Sequence, residues 1–452
     1  MINPLIFREY DVRGLVGKDL TSDTVLALGK GFGTYAVRKG VRNVMLGRDC
    51  RLSSPEFRDA MAEGLSSTGL SVVDVGVCPT PVLYFSIIRC SADGGVMITG
   101  SHNPPEFNGF KLCVGPSTLY GEKIQDVRRI VESGDFAEGA GKVAERSVIP
   151  EYLEYVRSII SIPRKLKVVV DAGNGTASSI APDLFRRMGM EVIELFCEMD
   201  GRFPNHFPDP TVPENLRFLV EAVRKNGADV GVGYDGDADR IGAVDEKGNI
   251  IYGDYLLLLF AREILSRKPG AAVISEVKAS QNLYDDIARH GGKPVMWKAG
   301  HSLIKQKMKE ESAEVAGEMS GHIFFSDRYL GFDDAIYASA RLFEILARSD
   351  RPLSEMLSGL PPVVTTPEIR VDCPDERKFR VVERVAAIVR PKAREVIDVD
   401  GVRAIFEGGW GLVRASNTQP VLVLRFEGKD EATVAGIRAL MEDAVREARS
   451  GE

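Results

Sequence analysis

One pattern restricts the fold of this chain more than any other. A strand, a polar loop, a helix, a glycine and a second strand recur three times. The first copy runs from Asn43-Val44-Met45-Leu46-Gly47 through Arg48-Asp49-Cys50-Arg51 and an amphipathic helix from about Ser54. It passes Gly69 and resumes at Ser71-Val72-Val73-Asp74-Val75. The second begins at Leu166-Lys167-Val168-Val169-Val170, crosses Asp171-Ala172-Gly173-Asn174-Gly175 and a helix around Ala181 to Phe185, and after Gly189 continues at Glu191 to Leu195. The third runs from Ala272-Val273-Ile274-Ser275 through a helix at Gln281 to His290 and past Gly291 to Pro294-Val295-Met296-Trp297. This is the rhythm of βαβ units. Chance repetition of a common unit competes with three related domains. The glycine after each helix suits a left-handed C-cap.

A chain of 452 residues exceeds what one core accommodates and suits three or four domains. Ser133 to Gly141 is glycine-rich and polar, a surface turn before a helix at Ile149 to Ile160. A new unit starts near Gly248, and Gly359-Leu360-Pro361-Pro362 reads as a linker. Beyond it the pattern changes to strands at 363–371, 401–406, 411–414 and 421–426 with helices at 375–389 and 430–449, an antiparallel α+β arrangement. The expected domains are 1–147, 148–248, 249–362 and 363–452.

Bulk properties narrow the function classes. With 65 acidic and 58 basic residues, the formal charge of −7 opposes general nucleic-acid binding. Six scattered cysteines without a CxxC pair fit a reduced, cytoplasmic protein better than a disulfide framework or a zinc site. The N-terminus does not resemble a signal peptide, and the longest apolar run, Tyr255 to Ala261, is too short for a bilayer. The expected location is the cytoplasm.

Each unit carries one polar loop of unusual composition. Gly95-Val96-Met97-Ile98 delivers the chain to Thr99-Gly100-Ser101-His102-Asn103-Pro104-Pro105, with Asn108-Gly109-Phe110-Lys111 close behind. Ser101 therefore belongs at a strand's end, where open α/β sheets bind ligands. A nucleophile, a phosphate carrier and a turn former all fit. Tyr234-Asp235-Gly236-Asp237-Ala238-Asp239-Arg240 follows a strand, and its alternating carboxylates can converge on a hard cation such as Mg²⁺. An EF-hand fits poorly, because the stretch after Arg240 reads as a strand. Arg240 suits a phosphate on the same metal. Gly317-Glu318-Met319-Ser320-Gly321-His322 offers a carboxylate and a hydroxyl for vicinal sugar hydroxyls, or a plain turn. Lys278 and Lys298-Ala299-Gly300-His301-Ser302 lie nearby, and either histidine fits a structural role equally. Arg414-Ala415-Ser416-Asn417-Thr418-Gln419-Pro420 makes a phosphate cradle or a polar hairpin loop. Tyr10, Asp11 and Arg13 sit near the start; Arg13 suits phosphate or a pair with Asp11 or Glu9.

These four motifs, in this order and at domain-sized spacing, resemble the α-D-phosphohexomutase superfamily and, within it, the phosphomannomutase/phosphoglucomutase group, over nearly the whole chain. The resemblance implies an α/β fold of three related mixed-sheet domains plus a C-terminal TATA-binding-protein-like α+β domain around a central cleft. It implies that Ser101 carries the phosphoryl group and that Asp235, Asp237 and Asp239, with an oxygen of that phosphoserine, hold Mg²⁺. Glu318 and Ser320 would bind sugar O3 and O4, and Arg414, Ser416, Asn417 and Thr418 the phosphate not being transferred. Tyr10, Arg13, Lys111, Arg240, Lys278, His301 and His322 would line the cleft with His102, Lys111 and the histidines being candidate proton carriers.

The implied reaction moves phosphate between O6 and O1 of mannose and glucose phosphates through a hexose 1,6-bisphosphate, which serves as intermediate and activator. Hexose phosphates are the implied partners, with neither nucleic acid nor membrane; the oligomeric state stays open. Met319 and Asn417-Thr418-Gln419-Pro420 stand where phosphoglucosamine mutases typically carry Gln and a Gly-Thr-Glu-Pro loop, which favours the hexose group. Phosphoglucosamine mutase, a sugar-phosphate phosphatase and a silent sugar-phosphate sensor are the competing readings.

Overall fold

The computed structural model describes residues 2–417 and 419–450. Four sheets are present among them, and the three βαβ copies seed the first three. In the first, Asn43–Arg48 lies parallel to both Ser71–Val77 and Gly94–Ile98, and Phe107–Val114 returns antiparallel to Gly94–Ile98. In the second, Lys167–Asp171 lies between Glu191–Leu195 and Val230–Tyr234, both parallel, and Ile241–Asp245 returns antiparallel to Val230–Tyr234. In the third, Ala272–Glu276 lies between Lys293–Trp297 and Val315–Gly317, and Ile323–Phe325 closes the hairpin. All three therefore share one order: second strand, first strand, third strand, antiparallel fourth. The mixed α/β architecture and the kinship of the three units are as expected.

The helices between the strands carry the capping chemistry that their sequences suggest. Gly69, Gly189 and Gly291 each follow a helix at positive φ. Proline occupies the first turn of Ser54–Ser67, Thr80–Arg89 and Ala181–Arg187, where its missing N–H costs nothing.

The first sheet is wider than the sequence suggests. Val12–Leu15 pairs antiparallel with Phe107–Val114, and Val143–Glu145, just beyond the glycine-rich turn, adds parallel to Ser71–Val77. Both strands are short, and the second is exposed throughout, so neither shows an apolar alternation.

The C-terminal unit has a separate core, built on the antiparallel order Val364–Thr365, Val421–Gly428, Gly409–Ala415, Val402–Phe406, Glu395–Ile397, with Asp375–Val389 and Glu431–Ser450 packed on it. The expected strand at 363–371 is two pieces, Val364–Thr365 and Ile369–Asp372, both paired to Val421–Gly428. Pro367 between them lacks the N–H that a continuous ladder needs. This unit seats on the third through Val277, Trp410 and Leu412, and through Arg403. The Arg403 guanidinium donates to the carbonyls of Val277 at 2.7 Å and Ala279 at 2.8 Å and lies 3.8 Å from the Trp410 ring centre. Among the described residues, no helix is long and apolar enough to cross a membrane.

Candidate active site

The chain leaves Gly94–Ile98 and turns at Gly100-Ser101, placing Ser101 at φ 51, in the left-handed region. A non-glycine residue there costs on the order of 1 kcal/mol and persists only where its surroundings hold it. The holding group is Arg51. Fully buried, its guanidinium donates to the carbonyls of Ser101 (2.9 Å), Asn103 (2.6 Å), Pro104 (2.6 Å) and Phe107 (2.9 Å), with Nε on Asp49 Oδ2 at 3.1 Å. Asp49 Oδ2 also accepts the Gly100 N–H at 3.1 Å. Arg51 thus organises the whole Ser101 turn, although the sequence marks it only as part of a polar loop.

From the second sheet, Asp235, Asp237 and Asp239 reach the same point. All three are fully buried, and one carboxylate oxygen of each lies within 4.8 Å of the others. Asp235 Oδ1 takes the N–H groups of Asp239 and Arg240 at 3.1 Å, and its Oδ2 accepts the Ser101 hydroxyl at 2.9 Å. Asp237 Oδ2 accepts Thr80 Oγ1 at 2.6 Å and Lys111 Nζ at 2.8 Å; Lys111 also bonds Asp239 Oδ2.

Burial first, and then Asp239 and Asp237, push Asp235 well above the usual carboxylate range. Lys111 holds Asp237 below that range against the upward push of burial. In return, Asp237, Asp239 and Asp333 raise the Lys111 ammonium although burial alone would lower it. Asp237 Oδ1 and Asp239 Oδ1 are buried without a hydrogen-bond partner. Buried polar atoms are rarely left so. Three converging carboxylates with two idle oxygens beside a serine hydroxyl fit a hard divalent cation such as Mg²⁺.

Arg240 and the histidines form the wall beside this triplet. Arg240 Nε donates to His322 Nε2 at 3.0 Å. His322 Nδ1 lies 3.0 Å from Asp333 Oδ2, and the ring stacks on His301 with centroids 5.5 Å apart. Asp333, fully buried, also meets Lys305 at 3.2 Å. Burial, and after it Lys305, keeps His301 well below its usual pKa. Burial followed by Arg240 and Arg13 does the same for His102, whose Nδ1 is 3.1 Å from Ser101 Oγ. Arg13 is steered by Asp11 and by Asn103 Oδ1, 2.6 Å away. It stands beside the serine turn, paired with Asp11 as one sequence reading allowed.

Across the cleft, the third sheet supplies Glu318, Ser320, Lys278 and a residue the motifs did not mark, Glu276. Glu318 Oε1 accepts the Gly300 N–H at 2.7 Å, and Ser320 is part-buried on the same turn. Glu276 ends a strand, accepts the Met319 N–H at 3.2 Å and leaves Oε2 buried without a partner. Burial pushes its pKa up to about 7; Lys278, 3.4 Å away, opposes that rise. Lys278 Nζ donates to Glu368 of the C-terminal unit at 2.8 Å.

Opposite stands the Arg414 loop. Arg414 Nε donates to Asp400 Oδ2 at 3.0 Å, Asn417 Nδ2 donates to the Tyr10 hydroxyl at 2.7 Å, and the Ser416 carbonyl accepts Lys378 Nζ at 2.5 Å. Thr418 lies outside the described residues. The structure thus gathers Ser101, His102, Arg13, Lys111, Arg240, His301, His322 and the Asp triplet at one end. Glu318, Ser320, Lys278, Tyr10, Arg414, Ser416 and Asn417 surround the other.

The repeated fold explains this convergence. The turn with Ser101, the loop with Asp235, Asp237 and Asp239, and the loop with Glu318 and Ser320 each join the third strand of their sheet to its antiparallel fourth. One structural position thus carries three different sets of polar side chains. The parallel strands that feed it end at the carboxyl edge, where ligands bind in such sheets.

Family models for phosphoglucomutase/phosphomannomutase match the chain throughout: alpha/beta/alpha domain I at residues 4–138, domain II at 150–248, domain III at 252–364 and the C-terminal domain at 368–444. The phosphomannomutase/phosphoglucomutase of Pseudomonas aeruginosa is 47% identical over 441 residues, 98% of this chain and 95% of that protein. The phosphoglucomutase of Neisseria gonorrhoeae is 47% identical over 437 residues, 96% of this chain and 95% of that one. A crystal structure of a phosphoglucomutase/phosphomannomutase family protein from Burkholderia thailandensis superposes with a TM-score of 0.95 at 43% identity, covering 100% of this chain and 99% of that one. By sequence, fold and the order of its four loops, this chain belongs to the phosphoglucomutase/phosphomannomutase family.

Proposed function

We propose that the protein interconverts 6-phosphates and 1-phosphates of mannose and glucose, with Ser101 as the phosphoryl carrier. The observation that carries this reading is the Ser101 hydroxyl, 2.9 Å from the buried Asp235 of the triplet, with the Arg414 loop joined to the same wall through Asn417, Tyr10, His301, His322 and Arg240. A phosphatase needs only the first end. A second, arginine-bearing end suits a substrate whose other phosphate is held while the first moves.

In this reading phosphoserine 101 donates its phosphoryl group to the free O6 or O1 of a hexose monophosphate. The P–O bond to Ser101 breaks as the P–O bond to the sugar forms, leaving a hexose 1,6-bisphosphate and a free serine. The bisphosphate turns end for end, and its other phosphate returns to Ser101, releasing the isomer. Asp235, Asp237 and Asp239 would hold Mg²⁺, which neutralises charge on the transferring group. Lys111 and Arg240 add positive charge at the same place. The sugar hydroxyl must lose a proton as it attacks. Lys111, held protonated by two aspartates, is poorly suited to accept it, whereas the neutral His301 and His102 can. Glu318 and Ser320 would read O3 and O4, which have the same orientation in glucose and mannose, so both sugars are accepted. The four domains are proposed to divide at 147, 248 and 362.

The test is a side-by-side measurement of isomerisation of mannose, glucose and glucosamine 1-phosphates with Mg²⁺ and a trace of glucose 1,6-bisphosphate. Turnover of the first two well above the third supports the reading; phosphate release without isomer formation overturns it.

A further inference from the structure

The second unit carries a polar loop that no site residue comes from, Asp171-Ala172-Gly173-Asn174-Gly175. It grips the irregular stretch between Glu191–Leu195 and Pro213–Leu216. The Asn174 N–H donates to the Phe196 carbonyl at 2.8 Å, and Asn174 Oδ1 accepts Asn205 Nδ2 at 2.8 Å. Just after the loop, the Thr176 N–H and hydroxyl both donate to the carbonyl of Gly236, in the middle of the carboxylate triplet.

The irregular stretch is strained and reaches into the first unit. Phe196 and Phe203 stand at φ 49 and φ 50, left-handed positions that a phenylalanine keeps only under restraint. Phe203 is buried, and its ring centre lies 5.0 Å from the Arg51 guanidinium. Gly201 packs so closely on the same place that a Cβ there would sit 2.4 Å from the Cys50 carbonyl. The guanidinium that gathers the carbonyls of the Ser101 turn is therefore covered by a ring from the second unit.

His206 pins this stretch to the strand end. Its side chain is 9% exposed, its Nδ1 lies 2.8 Å from the Phe207 carbonyl, and its Nε2 lies 3.2 Å from both oxygens of the buried Asp171. Both partners are acceptors, and a neutral imidazole has one N–H to give. Only the imidazolium satisfies both. Of the charged groups around it, Asp171 at the end of Lys167–Asp171 favours the cation, and Arg217 at the start of Arg217–Asn226 opposes it. Burial alone would lower the His206 pKa, but Asp171 and the Phe207 carbonyl carry it above the ordinary 6.5. A cation favoured by the fold lends its support in full below 6.5 and loses it as pH rises through the higher folded value.

We propose that His206 is a positioning residue: as an imidazolium held by Asp171, it keeps Phe203 against the Arg51 guanidinium and so fixes the Ser101 turn from the second unit. Its bearing on turnover rests on the reading of Ser101 as the phosphoryl carrier. His206 does not touch the reacting atoms; its effect passes through Phe203 and Arg51.

The experiment takes full-length protein with labelled histidine and arginine side chains through about pH 5 to 9 by NMR, with steady-state isomerisation of glucose 1-phosphate measured alongside. The His206 ring should stay an imidazolium above pH 6.5, and the Arg51 Nε–H signal should shift with the same midpoint. In kcat/KM, the wild type should exceed His206→Gln about fivefold below that midpoint and converge with it above. Phe203→Ala should cost a similar factor, and His206→Gln added to it should cost little more, because both act through Arg51. A His206 ring already neutral at pH 6.5, an Arg51 signal indifferent to its titration, or a wild-type to His206→Gln ratio that is flat with pH overturns the inference. Should a variant fail to fold, the wild-type titration of His206 and Arg51 decides alone. If both signals behave as expected and no isomer forms, the mutase reading alone falls.

Discussion

The Ser101 hydroxyl donates to Asp235 Oδ2 at 2.9 Å across 134 residues of sequence, from a turn on one sheet to a loop on the next. The pair fixes where a phosphoryl group on Ser101 would sit: against the triplet, beside Lys111, Arg240 and His102. In the proposed mechanism, replacing Ser101 with alanine removes the acceptor for that group and leaves the Arg414 loop intact. We expect Ser101→Ala to lose at least about a thousandfold in kcat while binding glucose 1-phosphate within a few-fold of wild type. Near-normal isomerisation by the purified variant would contradict the assignment.

Chelation tests the triplet. Exhaustive EDTA treatment should abolish turnover, and added Mg²⁺ should restore it. Asp237→Asn should need much more Mg²⁺ for half-maximal activity, because it loses one of the three converging carboxylates. Full activity after chelation would remove the metal from the scheme.

Arg51 lies outside all four motifs, yet its loss should be severe. Arg51→Ala would strand four loop carbonyls and Asp49 in a buried place, a cost of about 3–5 kcal/mol. Calorimetric unfolding should show a transition at clearly lower temperature, with activity falling as the Ser101 turn relaxes from its left-handed conformation. An unchanged melting profile would show that other contacts hold the turn.

Glu276 predicts a pH dependence. Its folded-state pKa, near 7, stands above the ordinary 4.5, so the folded protein keeps a proton that the unfolded chain releases between those values. Stability from this group is therefore present below about pH 4.5 and declines as pH rises toward 7, by at most about 3 kcal/mol. Glu276→Gln should flatten that part of the stability profile, read from urea midpoints between pH 5 and 8. A variant with the wild-type slope would assign the dependence elsewhere.

Gly300→Ala puts a Cβ into the Tyr10 ring and asks alanine to adopt φ 130. A penalty of about 1–3 kcal/mol is expected, expressed mainly as a higher KM, since the contacts that would shift hold the far side of the cleft. A kcat defect with unchanged KM would be the wrong signature.

Much of this site is visible in the primary structure for a simple reason. Ser101, the alternating aspartates, Glu318 with Ser320, and the Arg414 run each sit on short loops whose composition departs from that of strands and helices. The residues that remained hidden do their work from elsewhere. Arg51 and Asp49 act by holding backbone carbonyls and amides; Asp333 and Lys305 sit next to the histidines only after the third sheet folds. Glu276 reads locally as the last residue of a strand, and Asp400 as an ordinary turn acid, until Ala299 and Arg414 arrive from other parts of the chain. The short edge strands Val12–Leu15 and Val143–Glu145 escaped notice because pairing partners, not apolar periodicity, define them.

The shared position of the three loops carries a consequence for how such a cleft diversifies. Each loop is anchored on both sides by strands already paired in its own sheet, so its tip can change residue by residue while the ladder beneath stays in register. The three units thereby offer three equivalent sockets. In the proposed function, catalysis, metal binding and sugar reading would then be separable, and a changed sugar loop need disturb neither the serine turn nor the carboxylates facing it.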